Sequence, residues 1–235
     1  MKDISFLKTK ATENRINVLK TVMSTKKGHI GGTYSCIDLL TVLYYCIMKY
    51  DINNPDDSFR DRLIVGKGHA CLGIYNILAD LGFIDTKLLQ DYGSDGSYLG
   101  AQLDMKIPGV ETNTGSLGHA VGIGAGLALA SKIDKKKFKT YVLVGDGECY
   151  EGSIWEAAIS ATEIKLDNLV VIVDCNGYQN DGAIGNKMKH TDLKNKWRGF
   201  GWHTISCDGH NFKQLEKSLK IRKKNKPIAV IAKTI

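Results

Sequence analysis

The sequence predicts an α/β fold: a doubly wound, mainly parallel sheet flanked by helices on both faces. Short apolar runs (RLIV, YVLV, NLVVIV, PIAVIAK) recur along the chain, helix-patterned segments lie between them, and two of the runs stop at polar clusters, GDG and DCNG. Continuous apolar strands are covered on both faces, and strands that alternate with helices pair in parallel through crossovers.

Each element follows in order. Residues 4–24 have a helical period through Ile4, Leu7, Ala11, Ile16, Leu19 and Val22. Ser35 or Asp38 is the candidate start of a second helix, 37–49, whose LLTVLYYCIM is apolar nearly all round and therefore deeply buried. RLIV (62–65) is a short strand ending at GKGHA, followed by a helix to about Leu81. Residues 91–118 are polar and glycine-rich with little periodicity, and loops this long in compact domains are usually functional or disordered. The small-residue helix HAVGIGAGLALASKI comes next. Strand YVLVGD, helix 152–165, strand NLVVIVD, a polar loop with NDG, helix 191–199, strand WHTISC, helix 211–223 and strand PIAVIAK complete the chain. No repeat or low-complexity linker intervenes, so residues 1–235 read as a single domain.

Bulk properties bound the function. At 235 residues and 43% apolar, the chain can bury one large core or two small ones. No export leader is seen, and no apolar run approaches the ~20 residues needed to span a bilayer. Six scattered cysteines without a CxxC pair point to buried reduced thiols and a cytoplasmic protein, not to disulfides or zinc. The net charge of +7 lies largely in lysine runs at helix ends and before strands, without interleaved aromatics. That pattern argues against nucleic acid and for a mild attraction to phosphorylated metabolites.

The chemistry concentrates at GDG and DCNG. Asp146 follows one strand and Asn176 the next, about thirty residues later, which is the length of one βαβ crossover. Ligands of such sheets gather beyond the carboxyl ends of strands. A carboxylate plus an amide oxygen is a hard donor set suited to Mg²⁺ or Ca²⁺, and Mg²⁺ completes its octahedron with phosphate oxygens and water. The glycines beside Asp146 allow a sharp turn and let a diphosphate approach the helix N-terminus. His29 and His69 each follow a glycine in a glycine-rich segment, not on an apolar face, which admits a ligand close to the backbone. Glu151 and Glu156 read either as a helix N-terminal charge and a solvated face or as site acids. No strand runs directly into GHAVGIGAG, so close helix packing accounts for its glycines better than a dinucleotide. His119 has an open role, and His190, His203 and His210 lack metal-ligand spacing.

GDG, about thirty residues, then N resembles the thiamine diphosphate fingerprint. GDGECYEGSIWEAA…KLDNLVVIVDCNGYQNDG resembles the transketolase family, in particular its N-terminal, diphosphate-binding half. The similarity extends through GHIGGTYSCIDLL, DRLIVGKGHACLGIYNILADLG, PGVETNTGSLGHAVGIGAGLALA, CDGHN and KPIAVIAKTI, roughly residues 20 to 235 in family order. This resemblance implies thiamine diphosphate as cofactor, with Mg²⁺ on Asp146, Asn176 and the Tyr178 carbonyl. It implies Gly147 at the diphosphate, Gly115 and Leu117 beside the aminopyrimidine, and His69 near the diphosphate and the reacting centre. His29 would contact the sugar near its reactive carbon, and Glu151 and Glu156 would face the other half-site across a subunit interface.

The family's activating glutamate belongs to a pyrimidine-binding domain that would follow this chain. The resemblance therefore implies half an active site, completed by a separately encoded C-terminal transketolase subunit in an α2β2 assembly. The expected reaction is transfer of a two-carbon ketol unit from a ketose to an aldose. Where the family carries a GHP-type segment, this chain has Ala101 and Gln102, and it stops at Ile235 before a further family histidine. Those departures favour, as alternatives, ketol or acyl transfer onto an unusual nucleotide-linked or branched sugar, or a non-catalytic scaffold.

Overall fold

A computed structural model describes residues 3–179, 182–184 and 192–235. Asn180 and Asp181 of NDG, His190, and the first residue of the expected 191–199 helix lie outside the described residues.

One sheet contains β1 (Arg62–Val65), β2 (Thr140–Gly145), β3 (Leu169–Cys175), β6 (His203–Asp208) and β7 (Ile228–Lys233), in the order β1-β2-β3-β7-β6, and every pair is parallel. A short antiparallel ribbon, β4 (Tyr178–Gln179) with β5 (Gly182–Ala183), follows the tip of β3. The chain steps across β1, β2 and β3, jumps to the far edge for β6 and returns to β7. Because crossovers are right-handed, that reversal places helices on opposite faces. On one face α1 (Ile4–Thr25), α3 (Ile37–Val42), α4 (Cys71–Leu81) and α8 (Phe212–Lys220) pack on Tyr141, Leu143, Val170, Ile172 and Val230. On the other, α5 (Ala120–Ile133), α6 (Gly152–Glu163) and α7 (Leu193–Gly199) pack on Val142, Val144, Val171, Val173 and Ala229. This two-residue alternation between cores explains why the central strands are apolar throughout.

The glycines of α5 serve packing. A side chain at Gly124 would collide with Val142 of β2, so the helix lies directly on the sheet. All six cysteines are free thiols, and Cys36, Cys71, Cys149 and Cys207 are buried.

Two expected elements differ. α1 buries Leu7, Ala11, Asn14, Val18 and Thr21, and leaves Ile16 and Leu19 48% and 43% exposed. The five-residue step from Ala11 to Ile16 turns about 140° past a full revolution, so the two groups cannot share a face. The expected 37–49 helix does start at Ile37, as α3, but passes into a π turn over Leu43–Ile47 and ends there, and a separate short helix, α2 (Ile30–Tyr34), precedes it. Neither Ser35 nor Asp38 caps it, because their side chains bond elsewhere: Ser35 to Asp174, Asp38 to Arg15 and His210. Ile30–Ile47 is long and apolar enough to cross a bilayer by composition, yet 67% of it is buried inside this fold.

Candidate active site at the carboxyl rim of the sheet

In the β2–β3 register Gly145 pairs with Asp174, which brings Asp146 level with the Cys175–Asn176 tip. Asp146 is 5% exposed. One carboxylate oxygen accepts the Gly147 N–H at 3.0 Å and the other the Gly177 N–H at 2.9 Å, so the two tips are directly bonded. Gly177, at φ +75°, takes the left-handed turn this contact needs. Asn176 Oδ1 accepts the Tyr178 N–H at 3.0 Å, and its Nδ2 donates to Ser35 Oγ at 3.3 Å. Tyr178 opens β4 with its ring exposed.

Behind the tips lies a buried ion pair that the sequence reading missed. Lys67, from GKGHA, meets Asp174 at the end of β3, both almost fully buried. Ser35 Oγ donates to Asp174 at 2.7 Å and accepts from Lys67 Nζ at 3.2 Å, while Thr234 donates to the second Asp174 oxygen. Burial opposes the Lys67 ammonium, but the Cys36 thiol and the Asp174 and Asp146 carboxylates outweigh it and hold Lys67 above the usual lysine range. A lysine between two glycines carries no local sign of burial. Only the pairing of β1 and β3 through β2 exposes it.

Glu148, also unassigned from sequence, is 2% exposed. Its Oε1 accepts the Gly118 N–H at 3.0 Å and its Oε2 the Gly145 N–H at 3.3 Å. Burial, countered only in part by these bonds, raises its carboxyl to about 7.

His29 and His69 are brought together, ring centroids 5.6 Å apart. A side chain on Gly32 would sit 2.8 Å from the His69 ring, so that glycine makes its room. Burial, then the Lys67 charge, lowers the His69 imidazole to about 4, leaving it neutral at pH 7. Side chains on Gly68 or Gly115 would lie 2.6 and 2.8 Å from the Gln102 amide oxygen, so Gln102 closes on both glycines. Gly147 has Gln179 3.0 Å from where its side chain would begin. A cleft of about 570 Å³ opens beside these residues, lined by Gly66, Thr114, Ser116 and His119 among others. Leu117 is 38% exposed in the loop at its edge.

Other expected residues stand apart. Glu151 precedes α6 without capping it through its side chain, and Glu156 is exposed on that helix. His119, by contrast, lines the cleft, exposed at the start of α5. His210 bonds Asp38 at 2.8 Å and accepts the Ile235 N–H at 3.2 Å, a structural use, while His203 begins β6.

Among the described residues no three His, Cys, Asp or Glu side chains cluster as a metal cage. A carboxylate and an amide oxygen on bonded tips are instead the sparse hard donor set that suits a cation sharing its shell with phosphate. The Thr114 hydroxyl in the cleft wall is buried without a hydrogen-bond partner in the described protein. With the glycine-lined backbone, it fits a polar ligand such as a diphosphate ester.

Comparison with known proteins agrees. Residues 7–235 match the family described as transketolase, thiamine diphosphate binding domain. Over 229 residues the chain is 40% identical to an apulose-4-phosphate transketolase subunit of Actinobacillus succinogenes, covering 97% of this chain and 83% of that one. Over 211 residues it is 38% identical to a 6-deoxy-6-sulfo-D-fructose transketolase subunit from a Clostridium species, covering 88% and 77%. The solved transketolase of Campylobacter jejuni superposes with a TM-score of 0.92 at 31% identity, over 99% of this chain but only 38% of that enzyme. The strand tips, the cleft near them and these matches lead to one conclusion: the chain belongs to the transketolase family and carries its thiamine diphosphate binding domain.

Proposed function

We propose that this chain is the diphosphate-binding subunit of a two-chain transketolase, working with a separately encoded pyrimidine-binding subunit in an α2β2 assembly in the cytoplasm. The observation that carries the reading is the bonded pair of tips that bear Asp146 and Asn176 at the carboxyl rim of the sheet. The two bacterial relatives are named as subunits, which supports a separate partner, and the chain spans most of their length while spanning little over a third of the solved single-chain enzyme. Residues 1–235 act as one domain in this account.

Asp146, Asn176 and the Tyr178 carbonyl would hold Mg²⁺, with Gly147 against the diphosphate and Gly115 and Leu117 beside the aminopyrimidine. When bound, thiamine diphosphate supplies the nucleophilic carbon and electron sink needed to break the bond next to a ketose carbonyl. The chain's own residues orient and exchange protons. His69, neutral at pH 7, can accept a hydrogen bond or a proton beside the reacting carbonyl, and His29, exposed 5.6 Å away, can relay it toward the sugar hydroxyls. Glu151 and Glu156, exposed on and before α6, would meet the second half-site.

The ketol donor and aldose acceptor are the open part of the reaction. Gln102 folding onto Gly68 and Gly115, where the family places a histidine nearby, favours a sugar other than an ordinary pentose phosphate. The test is reconstitution with the product of a neighbouring transketolase-half gene, followed by assay with xylulose 5-phosphate, apulose 4-phosphate and 6-deoxy-6-sulfofructose. Ketol transfer from one of these, dependent on both chains and on thiamine diphosphate, is expected. Cofactor binding without turnover of any ketose would leave the scaffold reading in its place.

A further inference from the structure

Glu148 is a buried acid to which the mechanism above gives no task. It lies two residues past Asp146 in a 3₁₀ turn, where an acid would ordinarily face water. Instead its carboxylate is folded inward and divided between two backbone donors from different parts of the chain. Oε1 takes the Gly118 N–H from the TGSLG loop, and Oε2 takes the Gly145 N–H at the end of β2. The space it fills exists because Gly66, at the end of β1, has no side chain: a methyl group there would overlap the Glu148 carboxyl. Three rim segments therefore converge on one side chain, and each leads within three residues to a site residue: Gly66 to His69, Gly145 to Asp146, Gly118 back to Gly115 and Leu117.

The long irregular stretch before Gly118 has no strand or helix to hold it to the sheet. Its end is tied at two points only a few residues apart, by Glu148 through the Gly118 N–H and by Ser153 Oγ, which donates to the Gly118 carbonyl at 2.9 Å. Gly118 itself sits at φ +96°, a conformation that this pair of bonds stabilises. A carboxylate suits the junction because both oxygens accept. An amide presents one acceptor and one donor, so a glutamine would set its NH₂ against one of the two N–H groups.

We propose that Glu148 is a positioning residue that staples the TGSLG loop to the tip of β2, so that the wall of the cleft and the Asp146 carboxylate keep a fixed spacing. The consequence for cofactor affinity rests on the reading of the cleft as the thiamine diphosphate site; the staple does not.

The test uses the full-length chain with Glu148→Gln and Glu148→Ala. Amide exchange measured by NMR at Gly118 and Gly145, without cofactor, reads the staple directly. About tenfold or faster exchange is expected at both amides in Glu148→Ala and at one or both in Glu148→Gln, from the loss of acceptors for buried donors. In the pair reconstituted with the partner chain, the thiamine diphosphate Kd at saturating Mg²⁺ should rise about tenfold in Glu148→Gln, while kcat at saturating cofactor stays within about twofold. Unchanged exchange at both amides in Glu148→Gln would overturn the staple, and that variant decides the matter if Glu148→Ala fails to fold. Faster exchange with an unchanged Kd would overturn its role in cofactor positioning. If the wild-type pair itself fails to bind thiamine diphosphate, the functional reading falls, and the exchange result still decides the staple.

Discussion

At the tips of β2 and β3 every donor is held from behind: Asp146 by two backbone amides, Asn176 by Ser35, and Ser35 by the buried Lys67–Asp174 pair. On the proposed sugar side of the same rim, His29 and Gln102 are exposed, and Gln102 rests on Gly68 and Gly115. The proposed metal side shares its bonds with the core, so changes there should cost folding as well as cation binding. The proposed sugar side makes few bonds to the sheet, so substitutions there should leave folding largely intact.

The sharpest way to break this contrast is Lys67→Met. It leaves the Asp174 charge buried without its cation and should cost about 3–5 kcal/mol in urea denaturation. A midpoint equal to wild type would show that the metal side is not bound into the core. Next, Gly66→Ala should cost about 1–3 kcal/mol, because its methyl meets the Glu148 carboxyl. Gly31→Ala, in α2 with open space around it, should be neutral or stabilise by up to about 1 kcal/mol. Equal losses for the two would erase the distinction between the regions.

His69 stands between the two sides and gives a pH signature. Its imidazole stays neutral in the fold down to about 4, whereas an unfolded histidine takes a proton near 6.5. The folded chain therefore binds fewer protons in that window. The stability His69 contributes is complete above about 6.5 and drains away as pH falls toward 4. The stability difference between wild type and His69→Asn should shift in that direction across the window, measured by thermal melts. A difference independent of pH would contradict the burial of the ring. The smallest effect on folding is expected from Gln102→Ala, within about 0.5 kcal/mol, with its consequence appearing in kcat/KM ratios among ketose donors.

The sequence carries the strands and the Asp146–Asn176 pair because both obey local rules: two-residue burial in a doubly covered sheet, and a crossover of fixed length ending at polar turns. RLIV and PIAVIAK announce β1 and β7 in the same way, and GHAVGIGAG is legible as a packing helix because glycines without a preceding strand have little else to do. Ile16 and Leu19 misled because apolarity alone does not establish which of two stripes on α1 meets the core. Ser35 and Asp38 do not cap α3 because they are drawn into long-range bonds, which no local pattern announces. Lys67 and Glu148, charged residues in glycine-rich turns, and Asp174, at the end of an apolar strand, stayed hidden for the same reason: each looks solvated until its partner arrives from another strand or loop.

The proposed function requires a divalent cation seated between the tips of β2 and β3. The direct measurement is anomalous diffraction from crystals of the reconstituted pair grown with Mn²⁺ and thiamine diphosphate. One peak within about 2.0–2.3 Å of both the Asp146 carboxylate and the Asn176 amide oxygen is predicted. A bound cofactor whose metal peak lies away from these two side chains would contradict it.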